Sequence, residues 1–265
     1  MMQRHHGGPP LSLYWTEVAR ASAGWGLFLA ALPLRASLPA GDGHPVLVLP
    51  GLLAGDGSTL ALRAVLRHLG YDVCGWELGR NIGPTAKVVR GLDDRLQQCA
   101  QRSGRSVTLI GWSLGGIFAR ALARRSPGLV RQVLTLGCPF RLATTSQSRA
   151  TRAFERFSHL HVERLQLPLE NGAAPLPVPA TSIYSRMDGI VAWRACLDTP
   201  SPRAENIEVI GSHLGLGHNP AVIWAVTDRL AQAEGGWAPF RPPAVLRPFF
   251  PPAAERHPGA RTAVA

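Results

Sequence analysis

Six short strand-like runs, the first of them wholly apolar, separated by helical or polar stretches constrain this chain more than any other feature. Residues 45–50 (Pro-Val-Leu-Val-Leu-Pro) carry no polar side chain, as expected of a strand buried on both faces. Residues 71–76, 106–110, 132–136, 181–184 and 206–210 read as further strands. Between them the period changes. Asp56 or Ser58 can cap a helix carrying Leu60, Leu62, Val65, Leu66 and Leu69, which stops at Gly70. Residues 85–102 place Val88, Val89, Leu92, Leu96 and Cys99 on one face, with Gly104 just beyond. A third helix follows Ser113, and a last one runs from Asn219 or Pro220 to about Ala233. Strands alternating with helices imply an α/β fold: a mainly parallel sheet, right-handed crossovers and helices on both faces. In such sheets the ligand site lies at the carboxyl ends of the strands.

The alternation occupies residues 41–235, which are expected to form one domain. Residues 141–180 break it. Ala150, Ala153, Phe154, Phe157, Leu160 and Leu165 follow helical spacing, and residues 167–179 turn Pro-rich, so this segment reads as a small cap or lid inserted above the sheet. Residues 1–40 hold a Gly/Pro tail with His5 and His6, then an apolar stretch, 11–34, interrupted by Glu17 and Arg20. Its uncharged part, 21–34, is roughly 14 residues, short of the ~20 that span a bilayer. A packed or membrane-surface helix is the expectation. A signal-peptide core cleaved near Ala40 is the alternative, although Glu17 interrupts it. The protein is thus expected in the cytoplasm or on a membrane, and outside the cell if residues 1–40 are a signal peptide. Residues 236–265, rich in Pro, Ala and Arg around Phe240, Phe249 and Phe250, are expected to lack regular structure.

Composition excludes several activities. Lys+Arg 28 against Asp+Glu 17 gives a formal charge of +11, yet Lys87 is the only lysine, and it stands in Ala-Lys-Val rather than in a phosphate-binding Gly-Lys-Ser/Thr. The arginines are scattered, which argues against a nucleic-acid-binding arm; a solvated arginine-rich surface is the expectation, and a positive field toward anionic lipids or fatty acids the alternative. Cys74, Cys99, Cys138 and Cys196 form no Cys-x-x-Cys and suggest neither a disulfide scaffold nor a zinc site. No His-Glu-x-x-His set points to a metal. The glycines at 51, 55 and 57 do not make a dinucleotide fingerprint, since Leu60 takes the third glycine position. No cofactor is expected.

Chemistry concentrates at Gly111-Trp112-Ser113-Leu114-Gly115, which leaves an expected strand and opens an expected helix. A serine on so sharp a turn needs neighbours two positions away without side chains, and its oxygen then stands above the sheet edge at a helix N-terminus. Such a nucleophile needs a base, and the base an orienting carboxylate, in the chain order serine, acid, histidine. Of Glu155, Glu163, Glu170, Asp188, Asp198, Glu205 and Glu208, only Asp188 comes directly after an expected core strand. Asp198 reads as a loop residue. His213 and His218 both follow the last strand; His213, three residues beyond Ile210, is favoured, with His218 capping the final helix or binding its neighbours. Backbone N–H groups of Leu114 and Leu52 are the expected oxyanion donors. Leu53, Trp112, Phe140, Phe154 and Phe157 are candidate acyl-chain contacts, with core packing the plain alternative for each.

These residues resemble the serine α/β-hydrolases, and in particular small bacterial triacylglycerol lipases and lipase-like esterases. The segment Thr-Ser-Ile-Tyr-Ser-Arg-Met-Asp188-Gly-Ile-Val resembles their acid-bearing segment, and Ser-His213-Leu-Gly-Leu is similar to their histidine loop. The resemblance spans about 45–230. It implies hydrolysis of a small-molecule or lipid ester through Ser113, His213 and Asp188. Separately from the resemblance, the apolar stretch 11–34 suggests peripheral membrane association. Two features depart from it: Pro50-Gly51 stands where those enzymes usually have His-Gly, and the smallest of them lack a segment like 141–180. A catalytically inactive lipid- or partner-binding protein on the same fold, or an acyltransferase in which an alcohol replaces water, are the competing expectations.

Overall fold

The computed structural model describes residues 7–142, 144–162, 174–199 and 201–254. Two helices, α1 (Leu11–Trp15) and α2 (Glu17–Ala31), precede the sheet. The alternation then runs β1 (Pro45–Leu49), α3 (Leu60–His68), β2 (Asp72–Cys74), α4 (Ala86–Ser103), β3 (Val107–Trp112), α5 (Leu114–Arg125) and β4 (Val130–Leu136). After a short helix, α6 (Thr151–Glu155), come β5 (Ala180–Tyr184), β6 (Ala204–Glu208) and α7 (Pro220–Leu230). All pairings are parallel, in the order β2-β1-β3-β4-β5-β6. The chain winds one way from β1 to β2 and the other way from β3 onward, so the crevice between β1 and β3 is the switch point where such sheets bind ligands. Register places Leu49 beside Gly111, Trp112 beside Leu136 and Leu136 beside Ile183, which brings the carboxyl ends to one edge.

The strands alternate between two cores. Leu47, Leu49, Leu109 and Val133 pack under α4 and α5, while Val46, Val48, Ile110 and Leu134 pack under α3 and α7. α4 is a clear case of sequence making structure. Val88, Leu92, Leu96, Cys99 and Ala100 recur at helical spacing and are buried. The Thr85 hydroxyl accepts the Val88 N–H at 3.3 Å to begin the helix, and Gly104 ends it at φ 65°.

Cys99 on α4 pairs with Cys74 on β2 as a disulfide, a pairing that the sequence left open. Three expectations are corrected. The last strand sits two residues earlier than read, because Ile210 is exposed while Ala204 pairs with Ala180. The cap helix is a single turn and a half. His161 packs against Phe154 with centroids 4.6 Å apart and the rings tilted by 44°, its Nε2 lies 2.8 Å from the Ile82 carbonyl, and its backbone bridges Thr85. These contacts pull the chain into extended structure where the spacing had implied more helix. Leu165, Glu163, Glu170 and the rest of 163–173 lie outside the described residues, as do His5, His6 and 255–265. Finally, the expected C-terminal tail packs: Phe240 and Phe250 meet edge to face against the α7 core, residues Ala244–Phe249 form a 3-10 turn, and the Ala254 N–H donates to the Tyr184 hydroxyl at 2.6 Å.

α2 is amphipathic in an unusual way. Ala21 and Phe28 face the body, but Val18, Leu27 and Leu29 face outward, as does Trp15 on α1. Among the described residues no helix is long and apolar enough to cross a membrane.

Candidate active site

The turn after β3 shows why its glycines are needed. A Cβ on Gly111 would sit 2.3 Å from the Gly116 Cα, and one on Gly115 would sit 2.3 Å from the Leu49 carbonyl oxygen. Both lie well inside van der Waals contact. Ser113 between them takes φ 52° and ψ −120°, a region that non-glycine residues occupy only where the surroundings enforce it. Its N–H donates to the Leu136 carbonyl at 2.8 Å, and the Gly116 N–H returns to its own carbonyl at 2.9 Å. The strain is thereby held, and the side chain stands at the N-terminus of α5 over the switch point. Gly51 closes the opposite wall; a Cβ there would meet the Ser113 Cβ at 3.3 Å.

Asp188 is buried in the turn after β5. Its Oδ1 accepts the Ile190 and Val191 N–H groups at 2.8 and 2.7 Å. That leaves Oδ2 for His213, whose Nδ1 is 2.6 Å away. Burial acts to lower the His213 pKa, but the Asp188 charge and hydrogen bond, with a further contribution from Glu17, outweigh it and raise the value above the ordinary 6.5. His213 lies in the 3-10 turn His213–His218, five residues beyond the end of β6. The turn is held beneath by Trp112, whose Nε1–H donates to the His213 carbonyl at 3.2 Å.

The two candidate histidines separate cleanly. His218 is stacked on Trp25 at 4.4 Å, its Nε2 lies 3.0 Å from the Ala21 carbonyl, and burial lowers its pKa despite that bond. It anchors α2 rather than facing Ser113's partners. Asp198 is no bystander either. It is buried between Arg120 at 2.7 Å and Arg141 at 3.4 Å, in an ion-pair cluster.

Of the candidate apolar contacts, two belong to the core. Phe140 is fully buried beneath the Arg120 guanidinium, 3.9 Å from its centroid. Trp112 supports the histidine turn. Phe154 and Leu52 are half-buried on the surface of the α4–α5 core, Phe157 is half-buried, and Leu53 is exposed. Around the β1 loop, Leu53 takes φ 60° and donates its N–H to the Asn81 carbonyl at 2.6 Å. Among the described residues the Leu52 and Leu114 N–H groups have no such protein acceptor.

Two residues escaped the sequence reading. Gly137, directly after β4, has φ 54°, and a Cβ on it would lie 3.0 Å from His213 Nδ1 and 3.2 Å from Asp188 Oδ2. Glu17 reaches the same region from α2. The one signal for it was its position as the acid that breaks an apolar run. Among the described residues no cluster of His, Cys, Asp or Glu side chains is arranged to hold a metal ion.

No family model and no curated protein matches the sequence. Its fold, however, matches solved structures. Aspergillus fumigatus lipase B superposes with a TM-score of 0.56 at 17% identity, over 76% of this chain; the chain spans only 56% of that lipase. The metagenome-derived lipolytic enzymes LipS and LipT give 0.53 at 14% identity, covering 73% of this chain and 95% of theirs. An α/β superfamily hydrolase from Oenococcus oeni gives 0.51 at 16%, over 72% and 94%. At such identities the likeness is one of fold, and the chain has the α/β-hydrolase fold.

Proposed function

We propose that this α/β-hydrolase-fold protein hydrolyses carboxylic esters through Ser113, His213 and Asp188. The observation that carries the reading is the buried 2.6 Å His213–Asp188 pair on the same sheet edge as a serine held at φ 52°. Asp188 fixes His213 with its proton on Nδ1, which leaves Nε2 to take the Ser113 proton as Oγ attacks the ester carbonyl. The Leu52 and Leu114 N–H groups stabilise the oxyanion, helped by the α5 N-terminus. His213 returns the proton to the departing alcohol, then deprotonates water as it attacks the acyl–serine carbonyl, and gives that proton to the departing Ser113 Oγ, which releases the acid and restores the serine. An alcohol in place of water would give acyl transfer with the same residues.

A chain-length series of p-nitrophenyl esters, with wild type and Ser113→Ala, tests this. The substitution should lower kcat by about 10⁴-fold or more, and the preferred acyl length separates a short-chain esterase from a lipase. Folded wild type with no Ser113-dependent turnover on any ester would favour the binding-protein reading instead.

The outward side of α1 and α2 supports a second element of the proposal, docking on an anionic lipid surface. Trp15, Val18, Leu27 and Leu29 are all more than half exposed, and no charged side chain faces outward along residues 21–34. Exposed Arg35 stands at the end of the face, on a chain of net charge +11. Apolar area with a basic fringe is the combination that binds anionic interfaces. Flotation with phosphatidylglycerol vesicles should carry the protein upward, phosphatidylcholine vesicles less so, and Val18→Asp with Leu29→Asp should abolish it. Equal flotation of that double variant would refute the assignment.

A further inference from the structure

The sequence singled out Glu17 only as an interruption, yet its side chain is 2% exposed and lies at the centre of the candidate site's support. It is the first residue of α2, but its carboxylate turns away from its own helix. Oε1 accepts the Gly189 N–H at 2.6 Å and the His213 N–H at 3.1 Å; Oε2 accepts the Leu214 N–H at 3.2 Å. The Arg20 guanidinium adds an ion pair to Oε1 at 3.0 Å and itself donates to the Met187 carbonyl at 2.8 Å. One carboxylate therefore ties together the residue after Asp188, the backbone of His213 and the residue after it. A buried charge survives only with such partners, and hydrogen bonds to an ionised acceptor are the strong ones.

We infer that Glu17 is a positioning residue for the Asp188–His213 pair, supplied by a helix that lies outside the alternating α/β domain. The inference rests on the proposal that His213 is the base. The β5–β6 pairing ends at Tyr184 and Glu208, with the Val209 N–H donating to the Tyr184 carbonyl at 2.9 Å; beyond it the Arg186–Glu208 ion pair at 3.0 Å, the Asp188–His213 bond, Glu17 and the Ser185 hydroxyl, which accepts from Met187 and Gly211 N–H at 3.0 and 3.3 Å, tie the two turns together. Gly189 is required for the approach, since a Cβ there would lie 2.4 Å from the Leu13 carbonyl oxygen. The charged groups facing His213 are Asp188, from the turn after β5, and Glu17 from α2, with Arg20 paired to the latter.

Removing the charge while keeping the shape, as in Glu17→Gln, puts an amide NH₂ where one acceptor oxygen stood and removes one of the two anions beside the imidazole. On p-nitrophenyl butyrate, kcat should fall by about 10–100-fold with KM nearly unchanged, the loss that a misplaced catalytic group produces. The acid limb of kcat/KM should also move to lower pH, because Glu17 helps to raise the His213 pKa. Phe28→Ala loosens α2 without touching the carboxylate; it should leave the acid limb in place. An active wild type with E17Q matching it in kcat and acid limb overturns the inference alone. So does a kcat loss in E17Q with an unmoved acid limb that Phe28→Ala reproduces. Wild type lacking Ser113-dependent turnover overturns both the inference and the hydrolase reading. Should E17Q not fold, Glu17→Asp decides, since it keeps the charge and shortens the reach. A reduced kcat with the wild-type acid limb supports positioning, and wild-type kcat overturns it.

Discussion

Gly137→Ala places one methyl group against the two atoms that define the candidate site. The ideal Cβ lies 3.0 Å from His213 Nδ1, 3.2 Å from Asp188 Oδ2 and 2.8 Å from a Leu216 methyl. The backbone cannot retreat easily, because the Gly137 N–H donates to the Ile183 carbonyl at 2.9 Å within the line of the sheet. Two costs follow. Holding alanine at φ 54° costs about 1–2 kcal/mol. Overpacking adds about 1–3 kcal/mol, so a loss of about 2–5 kcal/mol in stability is expected if the contacts do not relax. Relaxation has a different cost. The imidazole or the carboxylate must move by several tenths of an ångström, which stretches the 2.6 Å bond and should lower kcat by about 100-fold. Gly104→Ala is the matched control. It too has positive φ, 65°, but nothing lies within 4 Å of its Cβ, so it isolates the backbone term. Urea denaturation and p-nitrophenyl butyrate kinetics on both variants separate the effects. If Gly137→Ala loses no more stability than Gly104→Ala and keeps kcat within about threefold of wild type, the wedge reasoning is refuted.

Three further outcomes are expected. His213 must be neutral to act as base and its pKa is raised, so kcat/KM should fall as pH drops through a value above 6.5; an acid limb below 6.5 would contradict the Asp188 contact. Asp198→Ala removes a buried carboxylate between Arg120 and Arg141 and should destabilise the fold by about 3–5 kcal/mol, with kcat of the folded fraction unchanged; a loss in urea denaturation below about 1 kcal/mol would place the cluster among surface pairs. Asn219→Ala removes the cap that accepts the Ala221 and Val222 N–H groups and the donor to the Ile210 carbonyl, and should cost about 1–2 kcal/mol by the same measurement.

What the sequence made legible is what local chemistry dictates. A strand buried on both faces favours apolar side chains, so 45–50 could hardly read otherwise. The turn at Ser113 was legible because two steric conditions, at Gly111 and Gly115, must hold together. Asp188 was reachable through strand order alone. Contacts fixed by distant partners left no such trace. Glu17 meets Gly189 across 172 positions and His213 across 196, and a carboxylate in an apolar stretch looks the same whether it is solvated or clasped. Gly137 reads as any glycine that ends a strand until the His213–Asp188 pair is placed over it. The cap helix failed for the opposite reason. Its apolar spacing is real, but Phe154 spends it on His161, and the chain follows that contact down to Thr85.

The two carboxylates near His213 do not duplicate each other. Asp188 has one oxygen committed to backbone N–H groups, so its other oxygen is aimed at the ring and would select the tautomer. Glu17 bonds backbone N–H groups and Arg20 and not the ring, so it acts on the position of the main chain instead. Their fields nonetheless add at the imidazole, and this sets a limit on the arrangement. A second anion that stabilises the protonated ring makes it a stronger base but a poorer proton donor to the leaving alcohol. Pairing with Arg20 opposes that penalty by drawing the Glu17 charge away from the ring, while the three N–H contacts keep the geometry. In the proposed reaction, tautomer and charge come from the sheet-borne acid, and placement comes from α2. The helix whose outer face is proposed to meet lipid is therefore the same helix whose inner face holds the proposed base, so any shift of α2 at an interface would reach His213 through a single carboxylate.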